Sequence, residues 1–391
     1  MTRKNLSPGN SLAPDERFLL FWDGYGLSRP GSGIFYHGKR LAAGLDRLGV
    51  RPQIITDMVD QPVLSPGIRQ LTLPRGRFSP EVFRTNKLLW PGRTGRFMAR
   101  RYRRHQGPPM IYHGLSNFNL PGGAGFRAKF RTVLTVHDVI PLLPGTGLPA
   151  TFRFQMRRAM ARSLPGADVI ICVSEWTRKT LLDLFPTLQS RILVIPNGFI
   201  PPGELTETNR PLPSQTLRLL TVSRYESYKR LDWWISLVER RGREWELDLV
   251  TDMRGISMLE KRYAGLIGAG CLRLHTGLTD ADLQVLYRRA SVYVHPSLYE
   301  GFCLPVTEAF SFGLPVVYRS GSGIDEAAGR TVATGLAATA SDDDWVSAVE
   351  QGGRRRLEPG FQRDLRRWIA DTTGWEGAAQ TLLQVYDNLI D

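Results

Sequence analysis

The stretch V-H-P-S-L-Y-E-G-F-C-L-P-V-T-E-A-F-S-F-G-L-P-V-V, Val294 to Val317, decides the fold. Its start completes a short apolar run, Ser291 to His295, that reads as a strand. A turn over Ser297 to Leu304 then leads into a helix from Pro305 to Phe312. Gly313 stops that helix, and Pro315 opens the next extended segment. Glu300 falls in the turn and Glu308 two to three residues inside the helix, with seven residues between them. A loop feeding a helix N-terminus offers unpaired backbone N–H groups and the positive end of a dipole, so it suits an anion. A carboxylate just inside that helix can accept from a vicinal diol such as a ribose. The pair therefore predicts a sugar nucleotide, with phosphates at the helix end and ribose on Glu308.

Working outward, Leu217–Val222 reads as the first strand of a Rossmann-like domain, and Leu247–Val250 and Cys271–His275 as further strands, with a helix over Asp280–Arg289. After the first strand, Ser223-Arg-Tyr-Glu-Ser-Tyr-Lys-Arg-Leu-Asp232 places Arg224 and Lys229 across a strand-to-helix turn, where both can converge on one anion. Fixed cations there stabilise the charge that develops on a diphosphate leaving group, without a metal. Ser320–Gly323 reads as a tight loop near the sugar. Ser341-Asp-Asp-Asp344 contains an Asp-x-Asp pair, but it precedes a helical run, Trp345–Glu350, and reads as an N-cap with an acidic first turn. Trp375–Leu389 reads as an amphipathic helix, and Pro201 to Pro213 as a proline-rich linker.

The N-terminal half alternates strand and helix patterns. Strands are expected at Arg17–Trp22, Pro52–Thr56, Gln70–Leu73, Met110–His113, Thr132–Val136, Val169–Val173 and Ile192–Ile195. Helical patterns cover Ile34–Leu48, Phe152–Leu164 and Glu175–Leu184, the last opened by Ser174 as N-cap. This alternation predicts a doubly wound parallel sheet, with ligands beyond the carboxyl ends of its strands. His113, His137 and Asn197 fall at such ends. A glycine-rich loop, Gly24 to Gly33, follows the first strand and includes Gly31 and Gly33.

These stretches resemble the family-four retaining glycosyltransferases, whose signature is S-x-x-E-G-F-G-L-P-x-x-E-A-x-x-x-G-x-P-V. The chain departs at Cys303, where the family has glycine, and a thiol there is expected to narrow the donor pocket. Thr135-Val-His-Asp-Val-Ile-Pro-Leu142 is similar to a family segment T-x-H-D-x-x-P, and Ser223–Asp232 to its G-R-x-x-x-x-K-R/G element. Ser174–Thr177 and Ile195–Gly198 look like further landmarks, and Asp325-Glu326 matches an acidic residue before a short helix.

The resemblance implies a GT-B fold of class α/β. Two Rossmann-like domains would face each other across a deep cleft, with the last helix crossing back to the first domain. The implied boundaries are 1–198 for an acceptor-binding domain, 199–215 for a linker, 216–372 for a nucleotide-sugar-binding domain and 373–391 for the returning helix. It further implies roles. Glu300 and His137 would position the donor sugar, and Asp138 would orient the imidazole or brace its loop. Glu308 would hold the ribose, Arg224 and Lys229 the diphosphate, and the backbone of Phe302, Cys303 and Leu304 would lie near the phosphate and sugar. Gly33, with Gly31, would line the cleft. No metal cofactor is implied, and the donor would be a sugar nucleotide, best read as GDP-mannose with a UDP-hexose next.

Charge sharpens the partner. Residues 1–198 hold 29 Lys+Arg against 11 Asp+Glu, and residues 199–391 hold 22 against 26, so +18 faces −4. Arg75–Arg104 is the densest basic segment. Its Arg93, Arg96, Arg100, Arg101, Arg103 and Arg104 lie among Trp90 and Phe97, against the single acid Glu81. Basic residues beside aromatics suit an anionic membrane surface. In this family similar patches dock on the inner membrane face, which implies a cytoplasmic, peripheral enzyme acting on a lipid-linked, polyprenyl-diphosphate saccharide. The three cysteines, Cys172, Cys271 and Cys303, lack metal-ligand spacing and read as reduced cytosolic thiols. No apolar run reaches a membrane span. An epimerase or phosphorylase on the same fold lacks support, because no pyridoxal-lysine context is present. A basic nucleic-acid-binding module without catalysis lacks a framing motif and is opposed by the acidic second half.

Overall fold

A computed structural model describes residues 17–27, 32–56, 64, 68–73, 90–199, 216–329 and 332–391. Gly31, residues 74–89 and the linker beyond Phe199 fall outside them. Two parallel sheets organise the chain. The first holds β1 (Leu19–Asp23), β2 (Gln53–Thr56), β3 (Gln70–Thr72), β4 (Met110–Gly114), β5 (Phe130–Val136), β6 (Val169–Cys172) and β7 (Ile192–Val194), in the order β3-β2-β1-β4-β5-β6-β7. The second holds β8 (Leu217–Val222), β9 (Trp245–Val250), β10 (Leu272–His275), β11 (Val292–His295), β12 (Val316–Arg319) and β13 (Ala333–Leu336), in the order β10-β9-β8-β11-β12-β13. In each sheet the chain runs from the middle to one edge, returns, and continues to the other edge. The return leaves a crevice beyond the carboxyl ends of β1 and β4, and of β8 and β11, where ligands of such sheets bind.

Packing gathers the described residues into two compact units, one from Met1–Thr135, Ala159–Ile170 and Ala379–Asp391, the other from Val136–Arg158 and Ile171–Ala378. In the first unit, β1 and β4 carry a buried polar set that fastens the last helix, Trp375–Asp387. Trp22 Nε1 donates to the Tyr386 hydroxyl at 3.1 Å, and that hydroxyl lies 2.6 Å from His113 Nδ1. His113 Nε2 reaches Thr135 Oγ1 at 2.8 Å. His113 is thus spent on holding a helix.

Asp23, the last residue of β1, is fully buried. Its carboxylate accepts from Trp90 Nε1 (2.7 Å), Tyr112 OH (2.6 Å), Asn119 Nδ2 (2.9 Å) and Tyr25 N (3.0 Å). Burial raises its pKa to about 6, although every one of these hydrogen bonds pulls the other way. Two of the glycines that follow are demanded by packing. A Cβ on Gly24 would meet Ile55 O at 2.4 Å, and one on Gly26 would meet the Ile34 side chain at 2.5 Å.

The second unit is built on Trp234, Trp245 and Trp345 between β8, β9 and their helices. Buried Asp248 on β9 meets Arg289 at 2.6 Å, His275 at 2.7 Å and Arg273 at 3.1 Å. Burial opposes the charge, but these partners outweigh it and bring the Asp248 carboxyl down to about 2.

Several elements match the sequence reading, including β8 and the helices Glu175–Leu184 and Asp280–Arg289. The Asp-x-Asp is indeed a cap, with Ser341 and Asp344 forming a capping box, but the helix it opens runs to Arg355. Helix Met253–Arg262 and strand β13 went unread. That helix keeps a narrow inner face of Gly255, half-buried Ile256 and Leu259, and its exposed Met253 and Met258 blur the apolar period in the sequence.

Candidate active site

The second sheet's crevice collects the signature residues. After β8 the chain makes a tight turn over Ser227–Lys229, passes through Arg230 in the left-handed region (φ 55°) and enters helix Leu231–Arg241. After β11 it runs through Ser297–Cys303 into helix Leu304–Ser311. Leu298 N donates to Tyr228 O at 2.8 Å and joins the two turns.

That joining brings Lys229 Nζ to 2.5 Å from Glu300 Oε1, in a pair with side chains 11% exposed on each side. His295 Nε2 bonds the same oxygen. Burial alone would raise the Glu300 pKa, but the Lys229 ammonium and His295 outweigh it and hold the carboxyl at about 2. Burial pushes Lys229 down, and Glu300 more than reverses this, so the ammonium stays charged. His295, Glu300 and Cys303 place three metal-type donor atoms within 4.8 Å of one another. The ammonium on the shared oxygen puts a positive charge where a cation would sit, so these residues fit an ion pair better than a metal. Arg224 is exposed on the same turn, and its charge and that of Lys229 both act on Asp138.

Glycines fix the loop. A Cβ on Gly301 would lie 1.9 Å from His137 O, and one on Gly323 would lie 2.0 Å from Gly301 O. Gly301 O accepts from Ser174 Oγ at 2.6 Å. Ser174 therefore does two jobs, since its Oγ also caps helix Glu175–Leu184 by accepting from Thr177 N at 3.0 Å. Thr177 Oγ1 reaches His137 O at 3.3 Å. His137 is thereby set beside the Glu300 loop, half-buried, by backbone contacts. Asp138 accepts from Ile140 N at 3.0 Å, which braces the loop. The Ser320–Gly323 loop pins the Glu300 backbone, through Glu300 N to Ser322 Oγ (3.2 Å) and Gly323 N to Glu300 O (2.9 Å).

Helix Leu304–Ser311 starts one residue earlier than its sequence pattern, so Glu308 stands at its fifth residue, a full turn in. Tyr287 OH donates to Glu308 Oε2 at 3.0 Å. Among the described residues, the backbone N–H groups of Phe302, Cys303 and Leu304 donate to no protein acceptor. Three such donors at a helix start beside Lys229 are an arrangement that can accept an anion. Cys303 itself has φ 78°. That backbone is one a glycine adopts without strain. Asp325 and Glu326 lie inside helix Ile324–Ala328, not before it. Glu326 accepts from Glu175 N and Trp176 N, each at 2.8 Å.

In the first unit, Gly33 is the first residue of helix Gly33–Arg47 and has open space where a Cβ would point, unlike Gly24 and Gly26. Helix Trp90–Arg101 buries Trp90, Thr94, Gly95 and Met98 and exposes Arg96, Arg100 and Arg101. Arg103 and Arg104 are exposed beyond it, and Arg93 is half-buried. A second basic helix was read as a helix, over Phe152–Leu164, but not as a basic surface. Ala150–Ser163 carries Arg153, Arg157, Arg158 and Arg162, no acid, and Phe154 at 65% exposure. No described helix is long and apolar enough to cross a membrane.

Known proteins match over most of the chain. The family model Glycosyltransferase Family 4 matches residues 31–201, and Glycosyl transferases group 1 matches 206–351. The O-antigen chain mannosyltransferase B of Escherichia coli is 28% identical over 329 residues, covering 78% of this chain and 77% of its own. An MMP alpha-(1->4)-mannosyltransferase of Mycolicibacterium hassiacum is 29% identical over 247 residues, 60% of this chain and 57% of its own. Among solved structures, a sucrose-phosphate synthase from Thermosynechococcus elongatus superposes with TM-score 0.73 at 20% identity, covering 95% of this chain and 99% of its own. With both halves matched in sequence and both sheets in topology, the chain belongs to the family-four, group 1 glycosyltransferases and is a glycosyltransferase of GT-B fold.

Proposed function

We propose that the enzyme moves a hexose, best read as mannose from GDP-mannose, onto a lipid-linked saccharide in bacterial surface polysaccharide synthesis. The carrying observation is the cradle of Lys229, Arg224 and the Phe302–Leu304 backbone beside the ionised Glu300. That set matches a diphosphate next to a sugar. Lys229 and Arg224 stabilise the departing diphosphate, which removes the need for a metal. Glu308 holds the ribose, while Glu300 and His137 orient the hexose. The anomeric configuration is retained by front-face departure, with the leaving phosphate accepting the acceptor's proton. Mannose is favoured because two mannosyltransferases stand among the sequence relatives. The donor is bound by residues 216–372 and the acceptor by 1–198.

The arginines of Trp90–Arg104 and of helix Ala150–Ser163 bind the anionic inner face of the plasma membrane, where a polyprenyl-diphosphate acceptor lies. The exposure of most of them, with Arg93 and Arg153 half-buried, and the lack of acids in both helices support this reading.

Thermal stabilisation by GDP, UDP, ADP and dTDP, each with and without EDTA, tests the donor site. Stabilisation by GDP that survives EDTA is expected. Stabilisation by UDP alone would replace mannose by a UDP-hexose, and a shift abolished by EDTA would overturn metal independence.

A further inference from the structure

The two signature glutamates are joined by a ladder of buried rings. Tyr287, which donates to Glu308, stacks on Tyr293 at 6.1 Å between centroids. Tyr293 stacks on His295 at 6.0 Å and 15°, and its hydroxyl lies 3.1 Å from His295 Nδ1. His295 Nε2 then meets Glu300 Oε1. His295 is 2% exposed and Tyr293 fully buried. The ring has no freedom to turn away.

Glu300 uses its oxygens unequally. Oε1 takes both Lys229 and His295, while Oε2 accepts from no described residue. The backbone of Glu300 is pinned on both sides, so the carboxylate's rotation is the remaining freedom. Lys229 is a poor guardian of that rotation, because it belongs to the anion cradle and a diphosphate competes for its ammonium. His295 has no such second ligand. The geometry points to His295 as the positioning residue that holds Glu300 Oε1 inward and leaves Oε2 facing the donor sugar. This rests on the reading of Glu300 as a contact to that sugar. The Tyr293 hydroxyl has a second acceptor, Val222 O at 3.4 Å. Donation from the Tyr293 hydroxyl to His295 Nδ1 leaves the Nε2 proton for Glu300 Oε1, which is the arrangement that fixes the imidazole.

The test uses a pair of amides. Gln at 295 carries an N–H near the position of Nε2 and can hold Oε1, whereas Asn carries its amide near Nδ1, toward Tyr293. His295→Asn is expected to lower kcat for nucleoside diphosphate release from GDP-mannose or UDP-glucose, whichever the wild type uses, by about 10²-fold. The dissociation constant of the matching nucleoside diphosphate should stay within about threefold, since the cradle is intact. His295→Gln should recover most of kcat. Wild-type kcat in His295→Asn, beside a dead Glu300→Gln, overturns the inference and leaves the Glu300 reading standing. Full activity in Glu300→Gln overturns that reading itself. Equal losses in the Asn and Gln variants, with nucleotide affinity lost as well, also overturn it, as a merely structural role would give. If the Asn variant fails to fold, histidine-labelled wild type still answers. The imidazole nitrogen signal missing from His295→Gln should shift in Glu300→Gln, and its indifference would overturn the inference.

Discussion

Asp23 and Glu300 are both buried carboxylates at the carboxyl ends of a parallel sheet, and they are solved differently. Asp23 is surrounded by four neutral donors and sits at about 6. Glu300 has a lysine and a histidine on one oxygen and sits at about 2. Neutral donors satisfy lone pairs but do not offset the loss of water around a charge; a cation does. The difference separates architecture from chemistry. Asp23 ties β1 to Trp90, Tyr112 and Asn119, and spends all its acceptor capacity inside the protein. Glu300 keeps one oxygen unspent. Asp248, held at about 2 by two arginines and His275, shows that a low pKa by itself marks no active site, because its partners also consume it.

The largest expected effect removes what sets Glu300 apart. Lys229→Met should cut turnover by about 10²-fold or more and raise the Glu300 pKa toward ordinary values. Unchanged initial rates would erase the functional half of the comparison. Asp23→Asn turns an amide toward groups that donate, so urea unfolding should show a loss of about 2 kcal/mol. A loss below about 0.5 kcal/mol would mean the nest contributes little.

The same contrast has a pH signature. Asp23 binds its proton more tightly folded than unfolded, so its contribution to stability grows as pH falls through about 6 toward 3.8. Between pH 7 and pH 5 that amounts to about 1 kcal/mol of added stability, and Asp23→Asn should abolish it. Glu300 and Asp248 have lowered pKa values, and their contributions are lost only as pH falls below 4.5 and 3.8 toward about 2. They leave the upper window flat. Unfolding midpoints at the two pH values check the sign.

The smallest effect concerns Cys303. Relief of its left-handed backbone and the entropy of an added glycine oppose each other, so Cys303→Gly should stay within about 0.5 kcal/mol of wild type. Cys303→Val, branched at Cβ, should lose about 2 kcal/mol.

Much of this fold was legible in the sequence, because short apolar runs such as Leu217–Val222 alternate with helical patterns, as a doubly wound parallel sheet requires. Signature glycines were legible as well, and Gly301 and Gly323 prove to sit where a Cβ would strike backbone. The Asp23 nest was not legible, since its donors come from residues 25, 90, 112 and 119 and meet only after folding. His295 was overlooked for another reason. It lay inside an apolar strand, where a histidine reads as core, and its partner became visible only once the loop had turned back. The second basic helix was read as a helix, but its arginines became a surface only when Met156, Ala159 and Met160 were seen to take the buried face.

Cysteine and glycine are neighbours in the genetic code. If the exchange at 303 is close to neutral for folding, drift between the two letters costs the fold little. An engineer wishing to change the donor can exchange those two letters without unsettling the loop, and vary beside them the residues that face the free oxygen of Glu300.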